Sequence, residues 1–393
     1  MRLFILIQKK HILLIITLFI FLLFSFALIQ KNMYFPSILM KSEYIVIIDP
    51  GHGSIDKGTH YKDIYEKDIN LQIAKKLKKE LTGTNIKPIL TRTEDKLYND
   101  NRNDDIKYRP SVVKKHNADF LISIHANNFP TSQPSGSQVF YKPASPKSKQ
   151  LADTIHKELI KIRKVNNRPL LPGQYYILQQ VDCPAILIET GFLSNPEDRN
   201  KLTDTNYQKK IVSGIKKGLI NYIESSVHNV SGPISDNISS SIEESKNNTD
   251  IKLYYIKPYK NKNVIVADEF TYPVIDNLNK YVGSKKGEIL VKSIINQLKT
   301  APGEMISPIP AQTTVKSIKI REDKVQINFS REYIDNFNWG AEMEQLSLEA
   351  LRKSIFSLPE INKIEILIEG KTRKTLGGHM QINSPISRKH VPR

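Results

Sequence analysis

A single cysteine, Cys183, stands in a chain of 393 residues, which excludes an intramolecular disulfide and any zinc site built from several thiolates. Its neighbours Asp182 and Pro184 lead into an apolar run, so the thiol reads as a buried, inert group and not as a nucleophile. The helical His-Glu-x-x-His signature is also missing, which excludes the metalloproteases built on it. No long internal repeat recurs. Acidic residues are the minority, 40 Asp and Glu against 58 Lys and Arg, for a formal charge of +18. That surplus suits an anionic partner, either nucleic acid or a cell envelope, and compartment has to decide between them. With 39% apolar and 25% charged residues, the composition is that of an ordinary globular protein, long enough for two domains.

The N-terminus supplies the compartment. Arg2, Lys9 and Lys10 precede an apolar run from Ile12 to Ile29, broken only by Thr17 and Ser25, which is long enough to cross a hydrocarbon core of roughly 30 Å. The excess of cations before the run keeps the short N-terminus cytoplasmic and exports the rest. Residues 1–42 therefore read as a cytoplasmic N-terminus and single-pass membrane anchor, with the remainder extracytoplasmic and nucleic acid excluded as a partner. Ser25-Phe26-Ala27 is a partial match to a small-x-small cleavage site, so cleavage and release to the wall is the alternative.

From residue 43 to 226 short apolar runs alternate with helical patterns. Strands are expected at Tyr44–Ile48, Pro88–Thr91, Phe120–Ile124, Gln138–Tyr141 and Ala185–Ile188, and helices at Lys67–Leu81, Lys107–Asn117, Pro146–Val165 and Asn206–Ser225. This predicts an α/β domain with an open, mostly parallel sheet flanked by helices. Residues 227–250 turn to Ser, Asn and Glu with few core formers, a composition read as a flexible linker. Residues 251–393 read as a smaller α+β domain. Thr314–Ile320 and the alternating Val325, Ile327 and Phe329 form a hairpin about Glu322-Asp323, followed by a helix over Gly340–Ser357 and a strand at Ile364–Ile368.

Ligands of open α/β sheets gather beyond the carboxyl ends of the strands. Three polar residues follow predicted strands there: His52 in Asp49-Pro50-Gly51-His52-Gly53, His125 after Ser123-Ile124, and Glu189 after Leu187-Ile188. The glycines either side of His52 free the backbone to hold its imidazole at a cleft rim. Glu66 stands in the first turn of the helix that follows, where the helix dipole also favours a carboxylate. Any one of these has an ordinary structural explanation. Together, two imidazoles and one carboxylate make a ligand set for catalytic zinc, and a further carboxylate is what a hydrolytic water needs as its proton acceptor.

The blocks Ile47-Ile48-Asp49-Pro50-Gly51-His52-Gly53, Glu66 with Asn70-Leu71, Ser123-Ile124-His125-Ala126-Asn127 and Glu189-Thr190-Gly191-Phe192-Leu193-Ser194-Asn195 resemble, in order, the motifs of the zinc-dependent N-acetylmuramoyl-L-alanine amidases of the Amidase_3 family. The resemblance runs from about Ile45 to Ile223. It implies one zinc ion held by His52, Glu66 and His125, with Glu189 as the catalytic carboxylate. Ser54 departs from the pattern, since the family usually has a second glycine there. The C-terminal domain is similar to the GerMN module of spore-germination and sporulation proteins, through Pro302-Gly303, Pro308-Ile309-Pro310, Asn328-Phe329-Ser330 and Gly377-Gly378-His379 before Pro385. His379, beside two glycines and with no acidic partner nearby in sequence, reads as a turn residue, and this domain is expected to carry no catalysis.

The resemblance implies hydrolysis of the amide between the lactyl group of N-acetylmuramic acid and L-alanine in peptidoglycan, in cell-wall or spore-cortex remodelling, with room for a protein partner on the C-terminal domain. The alternatives are a zinc peptidase acting within the stem peptide, which the same machinery would serve, and a non-catalytic peptidoglycan-binding protein. Arg109, Asn127 and the Tyr175-Tyr176 pair lie near the motifs but have packing explanations at least as good as substrate contact.

Overall fold

The computed structural model describes residues 43–162, 168–228, 251–259, 262–268, 285–337 and 339–388, together with Phe21. The membrane segment and the linker at 227–250 fall, apart from Phe21 and residues 227–228, outside the described residues. Among the described residues no helix is long and apolar enough to cross a membrane.

Strand β1 (Tyr44–Pro50) leads through a two-stranded ribbon, β2 (His60–Tyr61) and β3 (Ile64–Tyr65), into helix α1 (Glu66–Leu81). There follow β4 (Ile86–Leu90), α2 (Arg102–Lys115), β5 (Phe120–Asn127), β6 (Gln138–Tyr141), α3 (Pro146–Ile162), β7 (Leu171–Pro172), the single-turn α4 (Tyr176–Gln179), β8 (Ala185–Phe192), α5 (Pro196–Thr203) and α6 (Thr205–His228). Six strands form one sheet in the order β4-β1-β5-β8-β6-β7. The first four run parallel, and β6 is antiparallel to β8. Strand order reverses between β1 and β5, because β4 lies on one side of β1 and β5 on the other. That reversal opens the crevice in which an α/β sheet places its ligands.

Alternation along the strands explains why they read as continuous apolar runs. Val46, Ile48, Ile122, Ile124, Ile186 and Ile188 face one way and pack on Ile69, Ile73 and Leu77 of α1, Leu151 and Ile155 of α3, and Ile211 and Ile215 of α6. Ile47, Leu121 and Leu187 face the other way, into a second cluster shared with Val112, Tyr175, Leu376 and Met380. The C-terminal half therefore covers part of the sheet's second face.

That half begins with the hairpin β9 (Leu253–Tyr259) and β10 (Lys262–Asp268) and helix α7 (Lys285–Leu298). It continues with β11 (Val315–Arg321), β12 (Lys324–Phe329), the short α8 (Glu332–Asp335), α9 (Ala341–Ile355), β13 (Lys363–Ile368) and β14 (Ile386–Ser387). The hairpin expected about Glu322-Asp323 is present as the antiparallel pair β11 and β12, with Glu322 at φ 52°, and β13 joins β12 in parallel. Glu43–Ser225 and the described part of Pro233–Arg393 pack as one compact unit.

Candidate metal centre

His52 leaves β1 at the reversal point, and His125 and Glu189 lie directly opposite each other near the ends of β5 and β8. The expectation that these two follow their strands is corrected by one or two turns of the pleat: β5 runs on to Asn127 and β8 to Phe192. Glu66 is the first residue of α1 and points back at both imidazoles. One carboxylate oxygen, Oε1, lies 2.9 Å from His125 Nδ1 and accepts from the Ala126 amide at 3.1 Å. The other, Oε2, lies 3.3 Å from His52 Nε2 and accepts from the Thr59 amide at 2.8 Å. Asn70, one helical turn along, donates to Glu66 Oε1 at 3.2 Å and to the Gly51 carbonyl at 3.3 Å.

The loop that carries His52 is built by close approach. A Cβ on Gly51 would lie 2.0 Å from His125 Cε1, so any larger residue would push that imidazole out of place. Gly53, at φ 152°, uses a conformation that glycine tolerates best, but His52 and Ser54 also adopt left-handed angles, at φ 62° and 50°. Ser54 thus occupies, under strain, a position where glycine costs nothing. Arg109 braces the loop. Its guanidinium pairs with Asp49 at 2.7 Å and Asp105 at 2.6 Å and donates to the Pro50 and His52 carbonyls. Arg109 is buried and Asn127 and Tyr175 wholly so, although Arg109 and Tyr175 line a cavity beside His52 and His125.

A fourth group completes the cluster, and the sequence reading of it is corrected. His379 is not a free turn residue: its Nε2 lies 3.3 Å from His125 Nδ1, and its Nδ1 lies 2.8 Å from Glu344 Oε2. His52, Glu66, His125 and His379 each offer a ligand atom, all within 4.8 Å of one another, and all four are buried. His52 lines a cleft with His379 while being only 5% exposed. Three imidazoles converging on one carboxylate away from water is a donor set that fits zinc.

Electrostatics sharpen the assignment. Burial would lower the His52 imidazole, but the Glu66 and Asp56 carboxylates outweigh it and push its pKa up to about 10. Burial dominates at His125, which is held down to about 4 although Glu66 hydrogen-bonds to it. Glu189 is wholly buried. Burial first, then the neighbouring Glu66 and Glu342 carboxylates, raise its pKa well above the ordinary range. Cys183, far from these groups in role, has its thiol pushed up to about 11 by burial, as an inert cysteine should.

Residues 46–221 match the family model described as N-acetylmuramoyl-L-alanine amidase, and residues 252–374 match one described as sporulation and spore germination. The germination-specific N-acetylmuramoyl-L-alanine amidase of Bacillus subtilis is 31% identical over 209 residues, which is 51% of this chain and 88% of that protein. The amidase LytC of the same organism is 31% identical over 179 residues, 45% of this chain and 35% of its own length. Among solved structures, the CwlD amidase from Clostridioides difficile in complex with the GerS lipoprotein is 38% identical and covers 47% of this chain and 100% of its own, with a TM-score of 0.45.

Proposed function

Because this chain belongs to the N-acetylmuramoyl-L-alanine amidase family, we propose that it is a zinc-dependent hydrolase of peptidoglycan, cleaving the amide between the lactyl group of N-acetylmuramic acid and L-alanine in spore-cortex or wall remodelling. The observation that carries the reading is the convergence of His52, Glu66 and His125 at the strand reversal, with Glu189 in register beside His125 on the next strand. Zinc bound by those residues would supply a Lewis acid that polarises the carbonyl and makes hydroxide available near neutral pH. Glu189 takes the proton of the attacking water as its oxygen adds to the carbonyl carbon, and returns it to nitrogen as the C–N bond breaks. The products are a lactyl carboxylate and a free L-alanine amine. Asp56, 3.0 Å from His52 Nδ1, and Asn70 hold imidazole and carboxylate in orientation.

The test is product analysis. Peptidoglycan incubated with the zinc-loaded chain should release intact stem peptides beginning with L-alanine, and a chelator should stop the release. Fragments cut within the stem peptide would make the protein a peptidase instead, and no product from any form of the chain would leave it a binding protein.

We propose further that the apolar run Ile12–Ile29 anchors the catalytic half outside the cytoplasmic membrane. On cell fractionation the full-length protein should pellet with membranes, and a shortened form recovered in the medium would show that the segment is removed.

A further inference from the structure

The C-terminal half does more than pack beside the metal centre, because its Gly377-Gly378-His379 segment enters it. Glu344, wholly buried on α9, organises that entry. Its Oε1 accepts from the Gly377 and Met380 amides at 2.8 Å each, and its Oε2 accepts from the His379 amide at 3.1 Å and meets the His379 ring at Nδ1. One carboxylate thus holds four groups. A ring nitrogen fixed on a carboxylate leaves the other nitrogen's lone pair aimed away from it, which is how ligating histidines are usually oriented. Here the other nitrogen, Nε2, points at the cluster. The segment is also tied from the opposite side, since the Tyr176 amide donates to the His379 carbonyl at 2.7 Å and Arg102 donates to the Gly377 carbonyl at 2.5 Å.

The start of α9 closes the second opening. Gly340 lies so near β5 that a Cβ on it would stand 2.1 Å from Asn127 Oδ1, and Ala341 and Glu342 behind it are buried. Glu189 is left with no exposed surface. What remains of the cleft beside His52 and His379 is about 230 Å³, walled partly by Ile334, Phe337 and Trp339 of the C-terminal half. That is below the roughly 300–1,000 Å³ of ordinary small-ligand sites, and a muramoyl peptide is larger than a small ligand.

A catalytic zinc keeps one coordination position open, whereas a site with four protein ligands is closed. We propose that His379 is a fourth protein ligand of the zinc and that it holds the enzyme in a latent form, which becomes active when the segment around Gly377-Gly378-His379 withdraws. This rests on the amidase reading for what is being inhibited, but the ligand itself can be tested without any substrate.

The experiment uses the full chain loaded with cobalt(II) in place of zinc, compared with His379→Ala and Glu344→Gln, each checked for folding by circular dichroism. The cobalt ligand-field spectrum should change in band position and intensity in His379→Ala, and acetohydroxamate, a small metal-binding ligand, should perturb the spectrum of that variant but not of wild type. Glu344→Gln, which loosens the ring without removing it, should weaken metal binding by about 10–100-fold in a chelator competition. An unchanged cobalt spectrum in a folded His379→Ala chain would overturn the proposal. The second readout is turnover on peptidoglycan at saturating zinc. If the open form is the minor state of about 1–10% common in two-state proteins, His379→Ala should hydrolyse about tenfold faster or more. A changed spectrum with no gain in turnover would leave the ligand standing and refute latency. A changed spectrum with no hydrolysis by any variant would refute the amidase reading and leave the ligand in place.

Discussion

Glu189→Gln should keep zinc near one ion per chain while peptidoglycan hydrolysis falls by about 10²–10⁴-fold, the usual cost of a lost general acid–base group. Glutamine has nearly the same shape but no basic oxygen, so it cannot take the proton of the attacking water. Position supports the split between metal and catalysis. Glu189 lies on β8, opposite His125, and is not among the four residues whose ligand atoms cluster. Metal analysis and turnover must be measured on the same sample, in wild type and again in His379→Ala so that closure does not mask the effect. A variant that loses its zinc would make Glu189 a ligand, and one that turns over like its parent would remove it from the mechanism. His125→Ala is the contrasting control, since it should lose zinc and activity together.

Local pattern carried the first half of the molecule. Ile69, Ile73, Leu77 and Leu81 recur at helical spacing and do bury one face of α1, and the five apolar runs named from sequence are the five main strands of the sheet. His52, Glu66, His125 and Glu189 could be found because each is tied to the end of such an element. Asn70 was within reach as well, one helical turn after Glu66. The antiparallel course of β6 could not be read, since Gln138–Tyr141 is too short to show its direction. His379 failed for a different reason. Its carboxylate partner, Glu344, is 35 residues away and its imidazole neighbour, His125, is 254 residues away, so neither periodicity nor spacing connects them. Arg168 was missed for the same reason. It reads as an isolated cation, and only the packed fold brings Glu342 to it across 174 residues.

That last pair should show the asymmetry of buried charge. Arg168 Nη2 lies 2.6 Å from each carboxylate oxygen of Glu342, with side chains 1% and 5% exposed, its Nε donates to Gln138 Oε1, and the guanidinium stacks over the Phe192 ring. Burial raises the Glu342 pKa even though Arg168 opposes it. The sign is informative: a carboxyl whose folded pKa stays above its unfolded value is costly to keep ionised at neutral pH, so the pair is poor evidence of net stabilisation. Removing one partner is another matter, because it strands the other charge in the interface. Glu342→Ala alone should therefore destabilise the chain by about 3–5 kcal/mol, whereas the joint apolar replacement Arg168→Met with Glu342→Leu should be neutral or stabilising by about 1–4 kcal/mol. Denaturant unfolding of the two singles and the double gives the coupling directly. Singles that add to the double within about 0.5 kcal/mol would show that the pair does not act as a unit.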